Sequence, residues 1–261
     1  MEPQADLSVA LPPGKPATAH DGSPVLWISD GPAPEGLWAR LRAAHPESGW
    51  WPLLLTSMAG EDGDRPWESG ELSPPAPEAA RDHDVAEVLA KAWRDSTQVD
   101  EEYRDLVPEQ RLAVTAPHGV EWPGLAPRTP LTADPGEAAD RSAAWLARRP
   151  NPRLGLVRAA SGAEALSVIG WQGAVNHGLD VTVLSAVLAD WEERFGTRLV
   201  MVGFDTLALS TASVVADREQ AARVAAEHFA LCPDNVWQGT GSLDSYADSL
   251  VGDETWSFWW D

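Results

Sequence analysis

The chain has 261 residues, 44% of them hydrophobic, and carries 19 Lys plus Arg against 40 Asp plus Glu, a net charge of −21. That length and apolar content support a sizeable buried core in one large domain or two small ones. The charge repels phosphate backbones and anionic lipid, so neither nucleic acid nor a membrane surface is an expected partner.

The opening stretch, MEPQADLSVALPPGKPATAHDG, lacks the basic and apolar regions of a secretory signal, and no apolar run approaches the ~20 residues that span a bilayer. A cytoplasmic protein is expected. The single cysteine, Cys232, permits no intramolecular disulfide and agrees with a reducing compartment. Arg outnumbers Lys 17 to 2, a bias that resembles a bacterial proteome of high GC content. Twenty of the 22 prolines fall in residues 1–150, which sets a boundary there. Residues 1–23 read as a flexible or edge-hugging arm, 24–150 as a Pro-rich α/β region of short elements, and 151–261 as an α+β domain.

In chain order, Val25 to Ile28 predicts a strand, Leu37, Trp38, Leu41 and Ala44 a helix turned by HPESG, and Trp50 to Leu55 a second buried strand. Met58 to Pro77 reads as a long surface loop. A helix is expected over about 77–93, where Val85, Val88, Leu89 and Ala92 share a face, followed by a short acidic helix within 98–107. Residues 115–135 are too rich in Pro and Gly for regular structure, and 136–149 predicts a helix. In the second part, 153–159 is a strand and 162–169 a short helix. A helix then runs from the N-cap Asp180 to the C-cap Gly196, with Val181, Leu184, Leu188, Trp191 and Phe195 in one stripe. Arg198 to Phe204 and Leu207 to Ser213 are strands, Asp217 with Gln220 opens a helix to about Leu231, and Trp256 to Trp260 is a closing strand. The sum is an α+β fold, a mixed or antiparallel sheet with helices packed on it. For the C-terminal part the order is compatible with a ferredoxin-like sandwich, and the N-terminal strand–helix–strand would be an added unit on the same sheet.

Signatures of standard enzymes are missing: no GxxxxGK[ST], no GxSxG, no HExxH and no paired CxxC. Gly239 to Ser242 (GTGS) reads as an ordinary turn. Cys232 lies four residues after His228, but at the C-terminal end of a helix, where the dipole disfavours a thiolate, so a buried structural thiol is expected. His228 aligns with Ala221, Val224 and Ala225 and is as well explained as a core histidine. A His228–Cys232 metal site would need a third ligand such as His177 or Asp205, and no metal is assigned. In Asp82-His83-Asp84 helical geometry splays the side chains about 100° apart, so they cannot converge on one ion.

What resists a packing explanation is a polar and aromatic set: Asn176-His177 in a Gly-flanked turn before a capped helix, Asp205 after a buried strand, Glu227-His228, and Gln238 with Trp171 and Trp237 nearby. These eight residues form the candidate binding site, without an assignment to catalysis or a cofactor. Tryptophans beside turns, in an acidic protein with 14 of them, suit a groove for a protein or a small neutral or cationic ligand.

Several blocks then agree in order with one family. GWQGAVNH, LSAVLADWEERFGTRLVMVGFDTLALS, AAEHFALCPDNVWQG and WSFWWD, over roughly Leu154 to Asp261, resemble the bacterial domain of unknown function 4253 family. The earlier ESGWWPLLL resembles the N-terminal extension of its longer members. The corresponding motif positions include Gly170, Trp191, Phe195, Gly196, Pro233, Asp234, Gly239, Trp256 and Trp260 besides the site residues, with Val215 and Ala216 where prolines are expected. The resemblance implies no established activity. The expectation is a bacterial binding or interaction module of the immunity- or stress-associated type, the alternative being a hydrolase-like enzyme in which His177, His228, Asp205 and Glu227 converge.

Overall fold

The WWPLLL run, Trp50–Leu55, becomes the centre of the molecule because all six of its residues are buried. A strand covered on both faces must be apolar throughout, and this one is. The computed structural model describes residues 3, 6–60, 63–76, 83–99 and 106–261. Its main sheet has seven strands: β1 (Gly14–Thr18), β2 (Pro24–Pro32), β3 (Trp50–Leu55), β6 (Arg153–Arg158), β7 (Arg198–Val202), β8 (Thr206–Ser210) and β9 (Thr255–Trp259), with a small hairpin of β4 (Met58–Gly60) and β5 (Gly63–Arg65) beside it. The spatial order is β1-β2-β6-β3-β7-β8-β9, antiparallel throughout except that β3 runs parallel to β7.

Side chains alternate between two cores, as the strand period of two requires. Trp51, Leu53 and Leu55 enter one, Trp50 and Leu54 the other. Helices α1 (Leu37–Ser48) and α4 (Pro135–Leu146) cover the second face, joined by Arg42 to Asp140 at 2.7 and 2.8 Å. The first face carries α2 (Val85–Arg94), α5 (Gly162–Ile169), α6 (Val181–Phe195), α7 (Arg218–Leu231) and α8 (Leu243–Leu250). A short helix, α3 (Pro108–Val114), buries none of its residues.

Pro52 has no N–H to give to a ladder, and the β3–β7 pairing begins only at Leu54. Opposite the gap, the Leu199 carbonyl accepts instead from the Trp51 indole at 3.1 Å. A bulge between Leu199 and Met201 then turns both Val200 and Met201 to the second core.

The N-terminal strand–helix–strand does lie on the common sheet, with β2 and β3 flanking β6. The ferredoxin-like expectation is corrected. The C-terminal strands keep the order strand, helix, strand, strand, helix, strand, but that fold would place β6 between β9 and β8. Here β3 occupies the edge of β6 facing β7, and β9 returns along the outer edge of β8.

Other differences are local. Within the arm 1–23, Gly14–Thr18 pairs with β2 as β1. Helix α1 passes through Pro46 and stops at Gly49, whose positive φ closes it. The expected surface loop after Met58 sends Trp67 and Leu72 into the core, Trp67 donating to the Thr56 carbonyl at 2.8 Å. Helix α2 starts at the N-cap Asp84; the part of that helix read over 77–82, Asp82 with it, and most of the acidic helix within 98–107 lie outside the described residues. Helix α8, opened by Ser242, was not read from the sequence. No helix among the described residues is long and apolar enough to cross a membrane.

Because β3 sits between β6 and β7, residues 151–261 alone leave β6 without either neighbour and β7 paired with β8 on one edge only. The six buried residues of β3 include three leucines, each worth roughly 1.5–3 kcal/mol when fully buried, against a typical domain stability of about 5–15 kcal/mol. Expressed alone, 151–261 is expected to lack near-UV circular dichroism and a cooperative urea transition, both of which the full chain should display.

Candidate functional site

Residues 176–179 and 233–238 come together with α2, α6 and α7 around an open concavity of about 840 Å³. Its polar lining includes Asn176, His177, Asp234 and Gln238; its apolar wall is Val88, Ala92, Leu179, Val183, Ala230 and Leu231. Lys91 and Asp95, four apart on α2 and the turn after it, pair at the rim. Local sequence explains the placement. Gly178 takes a positive φ that ends the 3₁₀ turn Val175–His177, and Asp180, accepting from Thr182 N at 2.7 Å, starts α6 immediately afterwards. Pro233 stops α7 and delivers Asp234.

Asp234 is the polar centre. Its side chain is 4% exposed, and Oδ2 accepts from His177 Nε2 at 3.0 Å and from the Asp261 main-chain N–H at 2.9 Å. Gln238 Nε2 lies 3.4 Å from Oδ1. Burial pushes the carboxyl upward, but the bonds from His177 and Asp261 outweigh it and hold its pKa below the ordinary aspartate value. Asp234 therefore stays ionised at neutral pH.

Asn176, His177 and Gln238 thus share one concavity, and the other candidate residues lie elsewhere. Trp171 is buried, donates to the Gly203 carbonyl at 2.8 Å and meets Trp260 edge to face at 5.5 Å. Trp237 is half-buried and packs on Phe229. Asp205 is half-buried in the bend between β7 and β8, where its carbonyl receives Trp260 N–H at 3.0 Å.

Glu227 is a structural group. Fully buried, its carboxylate accepts from Ala126 N at 2.6 Å, Trp191 Nε1 at 2.8 Å, and Arg194 Nη1 and Nη2 at 2.8 and 2.5 Å. Arg194 also reaches the Ala126 carbonyl at 2.8 Å and Asp190 through Nε and Nη2, so each of its five donors has an acceptor. Burial opposes the Arg194 charge, yet the bonds to Glu227 and Asp190 raise its pKa overall. This network ties residue 126 of the Pro-rich stretch to α6 and α7.

His228 is also core. Two residues before Ala230, it points about 200° away around the helix. It is buried against Trp191, Trp256 and Phe258, with ring centroids 5.0, 4.5 and 4.8 Å away. Nδ1 lies 3.1 Å from Tyr246 Oη, which also accepts from Asn235 Nδ2 at 2.9 Å. Burial, helped by the Arg194 charge, lowers its pKa to about 3. His228 and His177 therefore do not converge. Cys232 is buried as expected; burial pushes its thiol up to about 12, and the S–H donates to the Trp259 carbonyl at 2.9 Å. Among the described residues no three His, Cys, Asp or Glu side chains gather as a metal site.

The residue missed as a site candidate is Asp234. It sits among the motif positions already named, but a lone Asp after a proline reads as a turn, and its partner His177 is 57 residues away (234 − 177).

Two outcomes follow from the buried groups. Glu227→Ala takes the acceptor from Ala126 N–H, Trp191 Nε1 and two Arg194 N–H groups, leaving Arg194 only Asp190 and the Ala126 carbonyl, and is expected to cost about 3–5 kcal/mol in urea unfolding, whereas Glu227→Leu combined with Arg194→Leu should cost less than either single change. For His228, the unfolded ring binds a proton below its ordinary value of 6.5 while the native ring waits until about 3. Its contribution is intact above the first value and is lost as pH falls toward the second, by up to about 1.4 kcal/mol per pH unit. The stability difference between the wild type and His228→Phe should therefore vary with that slope across the window and stay flat above it.

Residues 153–261, from β6 through β9, match the model of a family described as a domain of unknown function (DUF4253). No curated protein and no solved structure matches the chain. The matched span supplies β6 to β9 and most of the lining of the concavity, and over it the chain is similar to the DUF4253 family.

Proposed function

We propose that this chain is a binding protein whose recognition site is the concavity around Asp234. The observation that carries the reading is the convergence of Asn176, His177, Asp234 and Gln238 on one open space of about 840 Å³ with an apolar wall behind them. Binding sites for small molecules have that composition, a mostly apolar cleft with a few placed polar groups. The acidity of the chain favours a neutral or cationic partner over an anionic one. A cytoplasmic setting suits a protein whose single cysteine is a buried thiol.

An enzyme is the second reading, and one feature favours it. A carboxylate that accepts from His177 at 3.0 Å is an arrangement that orients an imidazole for proton transfer. The larger constellation it would need is absent from the concavity, since Glu227, His228 and Asp205 lie outside its lining.

The test is a thermal-shift screen of fragments on the wild type and on Val183→Trp, where a half-buried wall residue becomes large enough to fill the space. Fragments present at a hundredfold excess over Kd should stabilise the wild type by about 2.7 kcal/mol. Those shifts should vanish in Val183→Trp. Hits that persist in the variant would move the site elsewhere, and an empty screen would count against binding altogether.

A further inference from the structure

We propose that the concavity selects an amphipathic organic cation, an aliphatic primary amine, with the ammonium on Asp234 and the carbon chain along α2, α6 and α7. This deepens the binding reading and rests on it. Three observations combine.

The first is acceptor capacity. Asp234 Oδ2 has two donors at 3.0 and 2.9 Å, whereas among the described residues Oδ1 has only the long 3.4 Å approach of Gln238. A carboxylate only 4% exposed and short of donors on one oxygen is where an added N–H gains most.

The second is charge. Of the lining side chains, Asp95, Asp234 and Asp261 are acidic against Lys91, and Lys91 is paired with Asp95 at the rim. A ligand carboxylate would face Asp234 and Asp261 and would have to break the rim pair to reach Lys91.

The third is the apolar wall. Val88 and Ala92 of α2 line the space together with Leu179, Val183, Ala230 and Leu231, and no Phe, Tyr or Trp ring is in the lining. That surface suits methylene groups, and the missing ring disfavours a quaternary ammonium, which is held by aromatic faces. Helix α2 lies outside residues 153–261, so two of the six apolar wall residues belong to the N-terminal region of this chain.

The experiment is isothermal titration of the full chain at neutral pH and low salt with n-propylamine, n-butylamine and n-hexylamine, and with hexanoate and 1-hexanol as matched controls. The amines should bind, tightening about fourfold per added methylene, with hexanol at least tenfold weaker than hexylamine and hexanoate silent. Asp234→Asn should weaken hexylamine at least tenfold and leave hexanol unchanged. Should that variant misfold, the exposed Asp261→Asn provides the same comparison, with a smaller loss for hexylamine and none for hexanol. Equal affinity for hexanol and hexylamine, or measurable hexanoate binding, overturns the cation assignment. If the amines fail but other fragments bind and are lost in Val183→Trp, the ligand class is wrong and the site stands; if neither amines nor fragments bind, both fall.

Discussion

The rest of the structure depends on the insertion of β3 between β6 and β7. A strand from the first third of the chain is thereby buried on both faces inside the sheet of the C-terminal region, and the two cores are defined by which of its side chains go up and which go down. The insertion tolerates a proline at its centre because the ladder to β7 starts after it and the Trp51 indole serves the carbonyl left over. A second tie, from residue 126 through Arg194 and Glu227, fixes the Pro-rich stretch to the opposite helical layer. With both ties in place, α2 is held against α7, and it is α2 that closes one side of the concavity.

The polar residues of the C-terminal region divide into two kinds with different physics. Glu227, Arg194, His228, Tyr246 and Asn235 lie in the core, and hydrogen bonds compensate most of the desolvation they suffer there. They specify how α6, α7, α8 and β9 meet. Asn176, His177, Asp234 and Gln238 instead sit where the helical layer opens, and their side chains line space. The division follows the helix period. Glu227 and His228 occupy the buried faces of α7, whose last turn gives the opening only the apolar Ala230 and Leu231, and the polar Asp234 and Gln238 follow after Pro233 has ended that helix.

Much of the secondary structure was legible because short-range chemistry specified it. Asp180 and Gly196 bound α6 through a side-chain cap and a left-handed closing residue, and Asp217 opens α7 by accepting from Gln220 N at 2.9 Å. Strand β1 was illegible because GKPAT has no alternation to read; its place comes from pairing with β2. Helix α8 does carry a local signal, Ser242 followed by Leu243, Tyr246, Ala247 and Leu250 at helical spacing, but the preceding GTG reads as a turn. Strand order was beyond reach, since nothing local in WWPLLL says which two strands it will separate. The site was legible in half. Asn176-His177 and Gln238 stood out as polar residues in turns, but separating them from Glu227 and His228 required knowing that Arg194 and Tyr246 wait inside the core for those two.

The Cys232 thiol and the Asn235 amide have a role beyond packing α7 to the sheet. They donate to the carbonyls of Trp259 and Ser257, at 2.9 and 2.8 Å, on the side of β9 that no strand among the described residues covers. At the far end of the sheet the outermost strand, β1, carries Lys15 and Pro16, residues that resist further pairing. Both borders therefore resist an incoming backbone. Self-association by edge-to-edge sheet growth, the usual route from an open sheet to aggregates, is disfavoured at each end by these side chains.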